Sequence, residues 1–104
     1  MSQFDVYVNP NPATKRTIPF LLDIQTDLLN NLTTRVVIPL YTVSAMGKAA
    51  KHLNLQFTVK RTTVIMSTAE LAGVAAKNLG DKVCSLKEHR NKIIAAIDFL
   101  VTGF

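Results

Sequence analysis

The sequence predicts a small α+β domain, a curled antiparallel sheet closed by one C-terminal helix. Short period-two runs fill the first half and read as strands. Turn-forming residues recur between them, and the C-terminal stretch carries apolar residues at helical spacing. At 104 residues the chain supports a single domain, 1–104, with one hydrophobic core.

The elements follow in order. "QFDVYVN" alternates Phe4, Val6 and Val8 against Asp5, Tyr7 and Asn9, the pattern of a half-buried strand. "NPNPATKRT" holds two Asn-Pro steps and the cations Lys15 and Arg16, which make it an exposed loop. "IPFLLDIQ" resumes strand character, with Phe20, Leu22 and Ile24 on one face and Leu21 and Asp23 on the other. "NNLTT" is a turn, and "RVVIPLY" is a third strand whose Pro39 argues for an edge position or a bulge. From Thr42 to Leu53, with Gly47 inside it, the pattern predicts a loop containing one helical turn. "LQFTVKRTTVIMS" is a hairpin turning at Lys60 and Arg61, while "TAELAGVAAKNLGDKV" leaves a short helix and a strand both open. The closing helix starts at Ser85 and Glu88, which have capping-box spacing. Leu86, Ile93, Ile97, Leu100 and Phe104 form its apolar face, widened by Ile94 and Val101.

Apolar residues make up 48% of the chain and mean hydropathy is +0.22, an excess that favours an oligomer whose interface hides it. No run reaches the roughly 20 residues of a membrane span, and "MSQFDVYVNP" lacks the basic start and apolar core of an export signal. Cys84 is the single cysteine and fits a reducing cytoplasm. The net charge of +5 favours an acidic partner, either nucleic acid or an acidic protein segment.

Chemistry-bearing patterns are sparse. His52, His89 and Cys84 lack metal-ligand spacing, so no metal and no cofactor is expected. The glycines stand singly and form no phosphate cradle. Asp23 and Asp27, four apart at a strand end, have the spacing of an acid–base pair; a turn in which Asp27 accepts local N–H groups is the preferred reading. The tail "AAIDFLVTGF" has no charged side chain after Asp98, so it is either buried or kept apolar to meet a partner.

"QFDVYVN", "DIQTDLL", "RVVIPL" and "IIAAIDFLVTGF", in that order and near those distances, resemble the CcdB family of toxins. The resemblance implies a homodimer of SH3-like antiparallel barrels, each with a C-terminal helix (the CcdB/MazF/Kid-like fold), and a cytoplasmic protein that is not an enzyme. It implies binding to the DNA gyrase A subunit that traps gyrase on cleaved DNA, with Thr102, Gly103 and Phe104 making the contact. A CcdA-like antitoxin would neutralise it at Leu28, Leu29, Asp98, Val101 and Thr102, and operator DNA would be met only through the antitoxin complex. Ile97, Leu100 and Phe104 would pack across the dimer. The tail departs from the family's Trp-Gly-Ile, and "GVAA" at Gly73 to Ala76 replaces a Val-Pro in the late strand. The alternatives are a MazF/Kid-like ribonuclease toxin, for which Arg35, Lys60 and Arg61 with Asp23 or Glu70 are the materials, or a homologue that binds antitoxin and spares gyrase.

Overall fold

The computed structural model describes residues 1–46 and 54–103. Seven strands are present among them: β1 (Asp5–Val8), β2 (Phe20–Asp23), β3 (Thr34–Thr42), β4 (Gln56–Val59), β5 (Thr62–Met66), β6 (Ala72–Ala75) and β7 (Lys82–Ser85). Two helices accompany them, α1 (Val43–Met46) and α2 (Arg90–Thr102). The strands form one antiparallel sheet in the order β4-β5-β3-β2-β1-β7, with β6 also paired to β3. The result is a curled antiparallel sheet capped by the C-terminal helix, as its residue pattern predicts.

Register builds the core. Val6 pairs with Leu22 and Leu22 with Ile38, so three strands contribute one apolar row, and all three side chains are sealed from solvent. The hairpin adds Phe57, Val59, Val64 and Met66, and α2 lays Ile93 and Ala96 on the cluster. Each large side chain buried in this way contributes roughly 1.5–3 kcal/mol. The hairpin turns at Lys60 and Arg61 with φ of 47° and 63°, the left-handed pair that a two-residue turn between twisted strands requires.

Three expectations are corrected. Pro39 lies at neither an edge nor a bulge, because β3 is central. Its C=O accepts from the Ser67 N–H, and a strand residue's N–H and C=O face the same side. The donor that proline lacks therefore falls where β3 changes partner, from β6 at Thr34–Val37 to β5 at Leu40–Thr42.

The closing helix begins at Arg90, later than Ser85. β1 has a free edge that takes Lys82–Ser85 as β7, and this tertiary pairing overrides the local helix signal. Ser85 Oγ accepts from the Lys87 N–H at 3.2 Å, and the 3-10 turn over Lys87–His89 follows Leu86 without a side-chain cap, so the Ser85–Glu88 box is not built. The segment left open between helix and strand resolves into β6 flanked by 3-10 turns at Thr68–Glu70 and Ala76–Asn78.

The helical turn foreseen after Thr42 is α1; Gly47 to Leu53 lie outside the described residues. At the other end, Gly103 has φ +79° and donates its N–H to the Phe99 C=O. It closes α2 with a left-handed cap, a geometry that favours glycine.

Candidate functional site

Asp23 and Arg35 face each other across β2 and β3 with side chains 0% and 1% exposed. Arg35 donates from Nε and one terminal nitrogen to Asp23 Oδ2, at 2.9 and 2.6 Å, and from the other nitrogen to Asn30 Oδ1 at 2.7 Å. Burial raises the Asp23 carboxyl above its usual 3.8, opposed by the bonds from Arg35 and from the Gln25 N–H. With all three guanidinium nitrogens hydrogen-bonded and no solvent access, this pair fixes the sheet and offers nothing to a substrate. Two of the residues named as ribonuclease materials are thus structural. Asp27 opens a turn, the 3-10 turn Asp27–Leu29, as expected, but its side chain accepts from the Gln3 N–H at 2.7 Å, a contact across 24 residues in place of the local N–H groups foreseen for it.

Glu70 stands differently. It sits on the exposed 3-10 turn after β5, and its two oxygens accept from Tyr41 Oη at 2.7 Å and from Ser67 Oγ at 2.8 Å. That bond raises the Tyr41 hydroxyl above its usual 10.0, with burial a smaller cause, so it remains a proton donor at neutral pH. Tyr41 lies near the end of β3, and its neighbour Thr42 donates its N–H to the Thr17 C=O at 2.9 Å. This contact brings the loop carrying Lys15 and Arg16, both exposed, to the same end of β3. A carboxylate held by two hydroxyls, with cations on the neighbouring loop, is an arrangement for moving a proton next to an anion. Tyr41 is a functional candidate that sequence reasoning missed, because only the pairing of β3 with β5 brings it to Glu70, 29 residues away; Ser67 was passed over although it stands three residues before Glu70, the same spacing as Ser85 and Glu88.

Lys60 and Arg61 lie at the exposed tip of the β4–β5 hairpin, on the far side of β5 from Glu70. His89 is half-buried against Phe57, with ring centroids 5.0 Å apart. Burial pushes the Cys84 thiol up, an environment that suppresses the reactive thiolate. No set of three or more metal-ligating side chains converges among the described residues. None of the described helices is long and apolar enough to cross a membrane.

Leu28 is 91% exposed and Leu29 47%, on a 3-10 turn at Asp27–Leu29. That turn borders a cleft shared with Lys87 and Arg90, at the start of α2. Asp98, Val101 and Thr102 are exposed towards the far end of α2, about 12 to 18 Å along the helix from Arg90 at 1.5 Å per residue. Ile97 and Leu100 are half-buried, and Phe104 lies outside the described residues.

A family profile described as "CcdB protein" matches residues 3–103. No curated protein sequence matches the chain. Among solved structures, an endoribonuclease in complex with its cognate antitoxin, from a mycobacterial species, is 14% identical with a TM-score of 0.76; 97% of this chain and 94% of that one are covered. An endoribonuclease from a mycobacterial species is likewise 14% identical, with a TM-score of 0.75 and coverage of 97% and 90%. At that identity the likeness establishes the fold. It also corrects the reading drawn from the resemblance. These two structures, which share the fold over nearly the whole chain, are endoribonucleases, so a non-enzymatic gyrase poison with the gyrase A subunit as its partner is withdrawn. Gyrase contact at Thr102, Gly103 and Phe104 is withdrawn with it.

Proposed function

The chain belongs to the CcdB protein family, and on that premise we propose that it is the toxin of a toxin–antitoxin module and acts by cutting RNA. Family membership carries ancestry and fold; the target is set by the site. The observation that carries the reading is the Tyr41–Glu70–Ser67 cluster, at the end of β3 whose opposite edge meets the loop of Lys15 and Arg16. The shared fold of an endoribonuclease found with its antitoxin supports it.

The chemistry follows from the geometry. Glu70 takes the proton from a ribose 2′-hydroxyl, and the 2′ oxygen attacks the adjacent phosphorus. The bond from phosphorus to the 5′ oxygen breaks, and Tyr41 gives its proton to that departing oxygen. Glu70 then returns a proton to Tyr41 along their hydrogen bond. The products carry a 2′,3′-cyclic phosphate and a 5′-hydroxyl. Arg16 and Lys15 offset the charge that builds on phosphorus. The protein works as a cytoplasmic homodimer packed through Ile97, Leu100 and Phe104, and the antitoxin covers the exposed Leu28, Leu29, Asp98, Val101 and Thr102.

Purified protein incubated with single-stranded RNA tests the reading. Wild type is expected to release fragments with cyclic phosphate ends. Glu70→Gln, which keeps an oxygen and the shape of an exposed side chain, is expected to cut at least about a hundredfold more slowly with little change in melting temperature. RNA left intact by the wild-type chain, or cut equally fast by Glu70→Gln, overturns it.

A further inference from the structure

Asn9 follows β1 and is 5% exposed. Its side chain is taken up by the loop that leads to β2. Nδ2 donates to Thr14 Oγ1 at 3.0 Å and to the Ile18 C=O at 2.8 Å, and Oδ1 accepts from the Asn11 N–H at 3.1 Å. The Asn9 N–H donates to the Pro19 C=O at 3.0 Å, so one residue ties both ends of the loop.

Between these ties the loop winds into two turns. Asn11 Oδ1 accepts from the Ala13 N–H at 2.9 Å, and the Asn11 C=O accepts from the N–H groups of Thr14 and Lys15. The Thr14 C=O accepts from the N–H groups of Thr17 and Ile18 and from Thr17 Oγ1. Lys15 and Arg16 lie within these turns and are exposed. The stretch from Val6 to Leu22 holds no carboxylate, and among the described residues neither cation has an ion-pair partner. Two adjacent cations without a counter-charge, on a loop already bonded into shape, suit an anion that arrives from outside. A slack loop would have to give up its freedom when that anion binds.

Resting on the RNA-cutting reading for the ligand, we infer that Asn9 is a positioning residue, which keeps the Lys15–Arg16 loop in its binding shape before RNA arrives. Asn9 touches no substrate and acts through the loop. Asparagine suits the task because it offers two donors and an acceptor in one plane; aspartate would have no proton for Thr14 or Ile18. Without these ties the cost of ordering the loop falls on binding. Once RNA holds the loop, the cations supply the same charge, and Glu70 and Tyr41 move protons as before. Such a loss raises KM and spares kcat.

Two readouts on the full chain test this: cleavage kinetics on single-stranded RNA, and anisotropy of a fluorescein-labelled 2′-O-methyl RNA, which has no attacking hydroxyl. Asn9→Ala is expected to raise KM and Kd at least about tenfold, because three hydrogen bonds are lost from the free loop. Its kcat should stay within about twofold of wild type. In a chain already carrying Lys15→Ala and Arg16→Ala, adding Asn9→Ala should change Kd by less than about twofold, which a general loss of stability would not mimic. Asn11→Ala frees only the exposed Ala13 N–H and should raise Kd by a smaller factor at an unchanged melting temperature. Amide exchange at Lys15 and Ile18 should be slow in wild type and fast in Asn9→Ala. A wild-type chain that binds the 2′-O-methyl RNA yet leaves natural RNA intact ends the cleavage reading and leaves this inference standing. Absent wild-type binding, an unchanged Kd in folded Asn9→Ala or in Asn11→Ala, or a loss that persists without the two cations would overturn it.

Discussion

Replacing Arg35 with methionine keeps the length of the stem and deletes the charge that Asp23 faces. Three donated hydrogen bonds disappear, to Asp23 and to Asn30, and the Asp23 carboxylate remains 0% exposed with only the Gln25 N–H still serving it. Breaking a buried pair from one side costs about 3–5 kcal/mol, a large share of the 5–15 kcal/mol typical of a whole domain. The melting temperature should fall by at least roughly 12 °C. The sign with pH is fixed by the direction of the shift. Burial already raises Asp23 above 3.8, and Arg35→Met removes the main opposing influence. A carboxyl raised in the folded state binds its proton more tightly there, so stability falls as pH climbs from 3.8 through the raised value. The cost of Arg35→Met is therefore smallest in acid and complete at neutral pH, and adding Asp23→Asn recovers part of it. Urea titrations of the three proteins across that range measure this. An Arg35→Met protein within about 1 kcal/mol of wild type at neutral pH, or one equally destabilised in acid, would refute the argument.

The Tyr7 hydroxyl, buried and bonded to Asp5 Oδ2 at 3.4 Å, is pushed up to about 12 by burial first and by the Asp5 charge second. Its contribution to stability is present below pH 10.0 and lost between there and about 12, which phenolate absorbance and the unfolding curve should report together. Gly80→Ala places a Cβ 2.7 Å from the Val8 carbonyl oxygen, a backbone atom that cannot swing aside. It should cost about 1–3 kcal/mol in urea unfolding. Arg61→Gly relieves a left-handed residue at φ 63° and should stabilise by about 1 kcal/mol, read as a higher melting temperature.

Elements whose partners lie close in sequence were legible. The β4–β5 hairpin turns at Lys60 and Arg61, where the polar pair between β-rich runs places it. The Val6, Leu22 and Ile38 row follows from period-two alternation, because one face of each strand must leave water. Glu70 was visible as a carboxylate; its partner Tyr41, 29 residues away, was not, since a hydroxyl at a strand end carries no signal of what will cross it, whereas Ser67 lies three residues before Glu70 and its spacing was open to reading.

Amino-acid order by itself determined the hairpin and the inward rows of the strands, which depend on local periodicity; β1 is nevertheless buried on both faces, with Asp5, Tyr7 and Asn9 covered too, and of the apolar face foreseen for the helix Ile93 is buried while Val101 is 73% exposed. Only the tertiary structure decided that Lys82–Ser85 joins β1 as a strand, that Pro39 sits centrally where β3 changes neighbours, and that Asp23 and Arg35 are sealed together. A backbone group needs a partner but does not specify which one, and a charge needs a counter-charge wherever the fold delivers it. Those choices belong to the packed chain as a whole.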